Sequence, residues 1–185
     1  MKIDKSEQIF LVLVPHRDTR LVLRDYSETL LKAGFTGAYS FPWAAPLASL
    51  SRPLEKQELK NIAHTFRKSA NDGKFHAEGA YAMPFPPEEK NSFLYGPRLD
   101  FSIPKDLFGD NTGNLFPTVI IGACLLPGGR NETALPCPPT LSFSAAAVAN
   151  MFWQSVRPSS QDTKKDAYGY KWKIGKLIWL PKKAR

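Results

Sequence analysis

The chain has 185 residues, enough for one domain with a buried core. Its composition, 43% hydrophobic and 23% charged, is ordinary for a soluble globular protein. Its formal net charge of +8 favours anionic partners, and no apolar run approaches the roughly 20 residues that cross a bilayer.

Ile9–Val14 is a continuous apolar run with β-branched members that ends at Pro15, which predicts a buried strand. Asp18 or Thr19 can cap a following helix that runs to about Ala33. Leu23, Tyr26, Leu30 and Ala33 share its apolar face, and Gly34 stops it. Tyr39–Phe41 and Leu47–Leu50 read as short strands. Ser51–Glu55 is a helix-start signal for a second helix over Glu55–Ser69. Leu59, Ile62, Ala63 and Phe66 face inward on it; Lys56, Lys60, His64 and Arg67 face outward.

Asn71-Asp72-Gly73 is a turn. Lys74–Met83 then alternates. Phe75, Ala77, Gly79, Tyr81 and Met83 are expected on one side, and Lys74, His76, Glu78, Ala80 and Ala82 on the other. Phe93–Ile103 returns as a second strand of a hairpin. Lys105–Phe116 is turn-rich, Val119–Leu126 reads as a buried strand, and Thr140–Val148 as an extended segment. Ala145–Met151 could instead be helical, because alanine-rich runs favour helix. Tyr168–Leu180 reads as a strand with Tyr170, Trp172 and Ile174 on one buried face, and its phase slips near Gly175-Lys176 as at a bulge.

The order of elements predicts an α+β fold. The chain is expected as one domain over residues 1–185, with a first lobe of about 1–103 and a second of about 104–185. Met1–Gln8 does not have the charged-then-apolar order of a signal peptide, so a cytoplasmic location with no membrane partner is expected. Cys124 and Cys137 are expected as reduced thiols there, with a disulfide between them as the alternative. No cysteine–histidine spacing suits a metal, and no cofactor is expected. There is no glycine-rich phosphate loop, no His-Glu-x-x-His and no Gly-x-Ser-x-Gly elbow.

The chemistry-bearing candidates are few. His16 follows the first strand beside Arg17 and Arg20, where a helix start could meet a phosphate; alternatively it is an exposed loop histidine. His76 shares a polar strand face with Lys74 and Glu78, and could serve as an acid or base if that face lines a cleft; otherwise the face is merely solvated. His64 reads as a surface histidine. Asp110–Asn114 reads as a turn rather than a calcium loop. Asn131-Glu132-Thr133 matches a glycosylation acceptor that has no meaning in the cytoplasm. From residue 160 onward Lys164, Lys165, Lys171, Lys173, Lys176, Lys182, Lys183 and Arg185 outweigh Asp162 and Asp166. Such a bias suits nucleic acid, or simply a lysine-protected edge strand. Trp43, Trp153, Trp172 and Trp179 could stack on bases or belong to the core.

The first 85 or so residues resemble the amino-terminal half of the two-histidine phosphoesterase superfamily, the LigT-like RNA 2',3'-cyclic phosphodiesterases and RNA ligases. The resemblance rests on the strand Ile9–Val14, the helix closed by Ala33-Gly34-Phe35, the segment Trp43–Ala48, the helix Glu55–Ser69 and the hairpin after it. It implies a two-lobed antiparallel sheet around a cleft, with two main helices packed on the outside. It also implies one His-x-Thr motif per lobe, with the histidines as base and acid and the threonines on phosphate oxygens.

Position by position, the first motif falls on Ala44-Ala45-Pro46, so Ala44 replaces the histidine and Pro46 the threonine. The second falls on Thr140-Leu141-Ser142, where Thr140 replaces the histidine and Ser142 keeps a hydroxyl. No helix is evident between Phe93–Ile103 and Thr140, where the family's second lobe would have one. Alanine transfers no proton, and an unperturbed hydroxyl is a poor base near neutral pH.

The expected function is therefore a non-catalytic domain that binds a phosphate-bearing ligand, RNA or nucleotide. Thr140, Ser142 and Ser144 would form a hydroxyl ladder, with Lys171 and Lys173 supplying charge. The alternatives are an RNA cyclic phosphodiesterase rebuilt around His76 or His16, and a protein-interaction domain.

Overall fold

The protein is described by a computed structural model covering residues 7–35, 43–69, 74–85, 92–100, 113–116, 119–121, 124–127, 138–156 and 167–179. Strand β1 (Glu7–Pro15) leads into helix α1 (Arg17–Lys32), then β2 (Ala45–Leu50) and helix α2 (Lys56–Ser69). The hairpin β3 (Lys74–Pro84) and β4 (Ser92–Leu99) follows. Short strands β5 (Gly113–Leu115) and β6 (Cys124–Pro127) precede the long strand β7 (Thr140–Val156). Strands β8 (Ala167–Ile174) and β9 (Ile178–Trp179) come last.

The fold is α+β, as expected: a curled antiparallel sheet with two helices packed against one of its faces. The sheet order is β5-β2-β1-β7-β3-β4-β6, with β8 and β9 also paired to β7. β7 therefore lies between β1 and β3. It pairs with β1 along Phe143–Phe152, with β3 at Thr140–Ser142, with β9 at Ala145–Ala146, and with β8 from Ala149 to Val156.

Both sheet faces are apolar over the middle of the molecule. One carries Leu11, Leu13, Ala48, Leu141, Phe143 and Ala146, covered by Leu23 of α1 and by Leu59, Ile62 and Phe66 of α2. The inner face carries Phe10, Val12, Val14, Ala145, Ala147 and Ala149, filled by Met83, Phe85, Leu94, Phe116 and Ile120. The rings of Phe10, Phe85 and Phe116 meet there at 5.1 to 6.1 Å between centroids.

The alanine run of β7 forms strand, not helix, because tertiary packing overrides local propensity. Small side chains leave room on the inner face for the phenylalanines that fill it.

The helix ends follow their local chemistry. α1 stops in a Schellman motif. Gly34 takes φ +92, its N–H bonds to Leu31 O, and the Phe35 N–H bonds to Leu30 O, with Phe35 packing beside Leu30. α2 starts with a half capping box, in which Glu58 Oε2 accepts the Glu55 N–H at 2.7 Å.

Bulges among the described residues reset which side chains share a face; in β2 the pairing with β1 skips Leu47. In β3 the pairing skips Glu78, beside Gly79 at φ +138. Phe75 consequently lies in the helix-covered core while Met83 lies in the inner core, so the single-sided alternation expected for Lys74–Met83 does not hold. In β7 the pairing with β1 skips Ser144. The last is the expected slip near Gly175. The Gly175 N–H donates to Val148 O at 2.8 Å, and β8 and β9 flank it as two strands.

Ile174 is 37% exposed, so the buried face expected for Tyr170, Trp172 and Ile174 does not extend to it. The expected strand at Tyr39–Phe41, the first three residues of the expected turn Asp110–Asn114 and the loop Asn131–Thr133 lie outside the described residues, as do Cys137 and the side chains of Cys124, Trp153 and Trp172; Gly113 and Asn114 belong to strand β5 and not to a turn. No helix of the described residues is long and apolar enough to cross a membrane.

Candidate functional site

β1 ends at Pro15, and the backbone turns directly into α1 through His16. The His16 N–H donates to Ser142 O at 2.8 Å, and the Ser142 N–H donates to the buried Thr19 Oγ1, also at 2.8 Å. The start of α1 is thus fastened to the first residues of β7. His16 Nδ1 lies 3.3 Å from Asp18 Oδ2 in the first helical turn, with its ring half exposed.

On its other edge, β7 pairs with the start of β3: Lys74 faces Ser142 and His76 faces Thr140. Both polar groups of the Ser142 backbone point toward α1, so Lys74–Ser142 is a non-hydrogen-bonded pair. Thr140–His76, two residues along, is another. Cα atoms in such pairs lie about 4.5 Å apart, with side chains closer than in hydrogen-bonded pairs. The alternate pair Phe75–Leu141 turns into the helix-covered core. Lys74, His76, Thr140 and Ser142 therefore share the opposite sheet face, at the rim of the inner core. Lys74, His76 and Thr140 are exposed and Ser142 is half-buried.

The strip continues along the hairpin. Past the Glu78 bulge, Tyr81 falls on the same side as Met83 of the inner core. Arg98 pairs with Gly79, its guanidinium lies 4.8 Å from the Tyr81 ring centroid, and its Nε is 3.2 Å from Glu78 Oε2. The result is a cation–π pair held by a carboxylate.

The two expected motif positions have opposite environments. Ala44 is 1% exposed within the inner apolar core, and Pro46 is buried opposite Val12. Thr140 and Ser142 stand at the polar rim. Nothing at Ala44 or Pro46 can move a proton or hold a phosphate oxygen.

The hydroxyl ladder is shorter than expected. Ser144 is the residue skipped by the β7 bulge, so Thr140 and Ser142 alone share the face. The bulge also inverts the strand's phase, as Leu141 and Phe143 precede it in the helix-covered core and Ala146 follows it there. Lys173, opposite Asn150, consequently lies on the other face, about 20 Å or more along β7 from Ser142. Lys171 pairs with Phe152, farther still, and its side chain lies outside the described residues.

The structure thus joins His76 to Thr140 and Ser142 and brings the His16 backbone to the same strand end, but it does not bring Lys171 or Lys173 there. His64 is exposed on α2, as expected. Lys74 and Thr19 are absent from the expected ligand set. The alternation of Lys74–His76 was the signal for the first. No sequence signal marks the second, whose partner lies in β7.

Among the described residues, no group of three histidine, cysteine or acidic side chains could hold a metal ion. No family model, no curated protein and no solved structure matches this chain.

Proposed function

We propose that this chain is a non-catalytic two-histidine phosphoesterase-like domain that binds a phosphate-bearing ligand, RNA or nucleotide, at the rim formed by β3, β7 and the start of α1. The observation that carries this reading is the double cross-strand pair on one face, Lys74 with Ser142 and His76 with Thr140, in which Lys74, His76 and Thr140 are exposed and Ser142 is half-buried. Ammonium, imidazole and hydroxyl donors on one small surface suit phosphate oxygens. The net charge of +8 raises the local concentration of polyanions. Alanine and proline at the first motif position support binding without turnover.

A second reading is a phosphodiesterase with a rebuilt acid–base pair. It is favoured by the placing of His76 opposite Thr140 and of the His16 N–H on Ser142 O. One experiment separates them. End-labelled RNA with a 2',3'-cyclic phosphate is incubated with the protein at low and physiological salt, then run on native and denaturing gels. A salt-sensitive shift without ring opening is expected. Ring opening that is lost in His76→Ala but kept in His64→Ala would establish the second reading. Neither shift nor ring opening would overturn both and favour a protein-interaction domain.

A further inference from the structure

Trp179 is 65% exposed, the most exposed of the large hydrophobic side chains in the described residues. It closes β9 opposite Ala145 of β7. Its neighbours fix its side of the sheet: Leu177 packs against the inner core and Ile178 against the helix-covered core. Trp179, next in alternation, falls on the inner-core side with Ala145, the side that also carries Thr140, Ser142, Lys74 and His76.

β9 and β3 lie along the same edge of β7, since β1 occupies the other. Ala145 and Ser142 are three residues apart on β7, so Trp179 and Lys74 are separated by about 10 Å along the strand. That span matches one nucleotide, with its base at one end and its phosphate at the other. An indole left in water beside a cluster of cationic and hydroxyl donors is an arrangement suited to a base that carries a phosphate.

We infer that Trp179 is the base-stacking platform of the site proposed above, and that the ligand is a nucleotide whose phosphate meets Lys74, His76 and Thr140. This rests on the phosphate-binding reading. The same face continues to Tyr81, 45% exposed under Arg98. A single strand that extends past His76 meets this second aromatic, so the site accommodates a free nucleotide or one nucleotide of RNA by the same contacts.

The test is a binding series on the full chain with three probes: ribose 5-phosphate, a nucleoside monophosphate and a six-nucleotide single-stranded RNA. Trp179→Ala is expected to weaken the two base-containing probes about tenfold, the scale of one stacked base, and to leave ribose 5-phosphate unchanged. Trp179→Phe keeps most of the affinity. Lys74→Ala weakens all three.

RNA bound at least tenfold more tightly than the monophosphate, with a further loss in Tyr81→Ala, assigns the ligand to RNA. Equal affinities with no effect of Tyr81→Ala assign it to a free nucleotide. In either case the stacking role is supported by the roughly tenfold loss in Trp179→Ala on both base-containing probes. If Trp179→Ala binds both base-containing probes within twofold of the wild type while Lys74→Ala still loses affinity, the stacking inference is overturned and the phosphate site stands. If the wild-type chain binds none of the probes, the phosphate reading falls and takes the inference with it.

Discussion

The Thr19 hydroxyl accepts the Ser142 N–H at 2.8 Å, which joins the first turn of α1 to the first turn-out of β7. Thr19 is 6% exposed, so a non-bonding replacement would strand a backbone donor away from water. Thr19→Val keeps the shape and removes the acceptor. It is expected to cost about 1–3 kcal/mol, the penalty of an unsatisfied buried group, and to lower Tm by about 2–4 °C per kcal/mol in a chain of this size. Thr19→Ser should recover most of the loss in a thermal melt. Equal melting of Thr19→Val and the wild type would show that the bond contributes nothing.

Placing a His-x-Thr motif of the two-histidine phosphoesterases at Ala44–Pro46 should not create an enzyme. Ala44 sits with Val14, Phe10 and Phe116 in the inner core, so a histidine there brings both excess volume and a polar ring into apolar surroundings. The Ala44→His, Pro46→Thr double variant is expected to lose at least about 1–3 kcal/mol in a denaturant melt. It should show no ring opening of a cyclic phosphate. Turnover in the folded double variant would mean that the inner face opens to solvent.

The start of α2 gives a pH signature. The Arg52 guanidinium holds the Glu58 carboxyl below its ordinary value through a hydrogen bond, and the Glu55 N–H adds to the shift. The carboxylate in turn raises Arg52. A carboxyl whose folded pKa is depressed stabilises the fold above its unfolded pKa, about 4.3 for glutamate, and loses that contribution as pH falls through the lower folded value. The stability difference between wild type and Glu58→Ala should therefore be full at neutral pH and close below about pH 4. A difference that persists unchanged in strong acid would assign it to packing. Both side chains are partly exposed, so raised salt should also shrink it.

The helices were legible because each carries its own punctuation: Gly34 after α1, and Ser51-Arg52-Pro53 before α2. The apolar run of β1 was equally plain, as was the hairpin as a pair of strands, though not the facing of β3 beyond Glu78. The inner core was not, because nothing local separates an alanine-rich strand from a helix, and the choice for Ala145–Met151 is made by Phe10, Phe85 and Phe116 from elsewhere. The site was legible only in pieces. His76, Thr140 and Ser142 stood out singly, whereas their pairing depends on β7 entering between β1 and β3. Bulges at Glu78 and Ser144 were hidden for the same reason. A skipped residue is a property of two strands, and only the slip at Gly175 broke the pattern of its own strand visibly.

That slip has a consequence for the exposed tryptophan. A Cβ on Gly175 would stand 2.9 Å from Val148 O, the same atom that accepts the Gly175 N–H. The obstruction is backbone in the central strand, so β8 and β9 must give way rather than β7. Gly175→Ala is expected to cost about 1–3 kcal/mol, the range for forcing extra volume into a packed region. Because the bulge sets the register of Ile178 and Trp179 on β7, RNA affinity should fall with it, although Gly175 itself is remote from the Lys74 pair. Lys173→Ala, one strand position before Ile174 and on the far face, is the control and should change neither stability nor affinity. A Gly175→Ala variant that melts later or binds RNA as well as the wild type would show that β9 holds its register without the bulge.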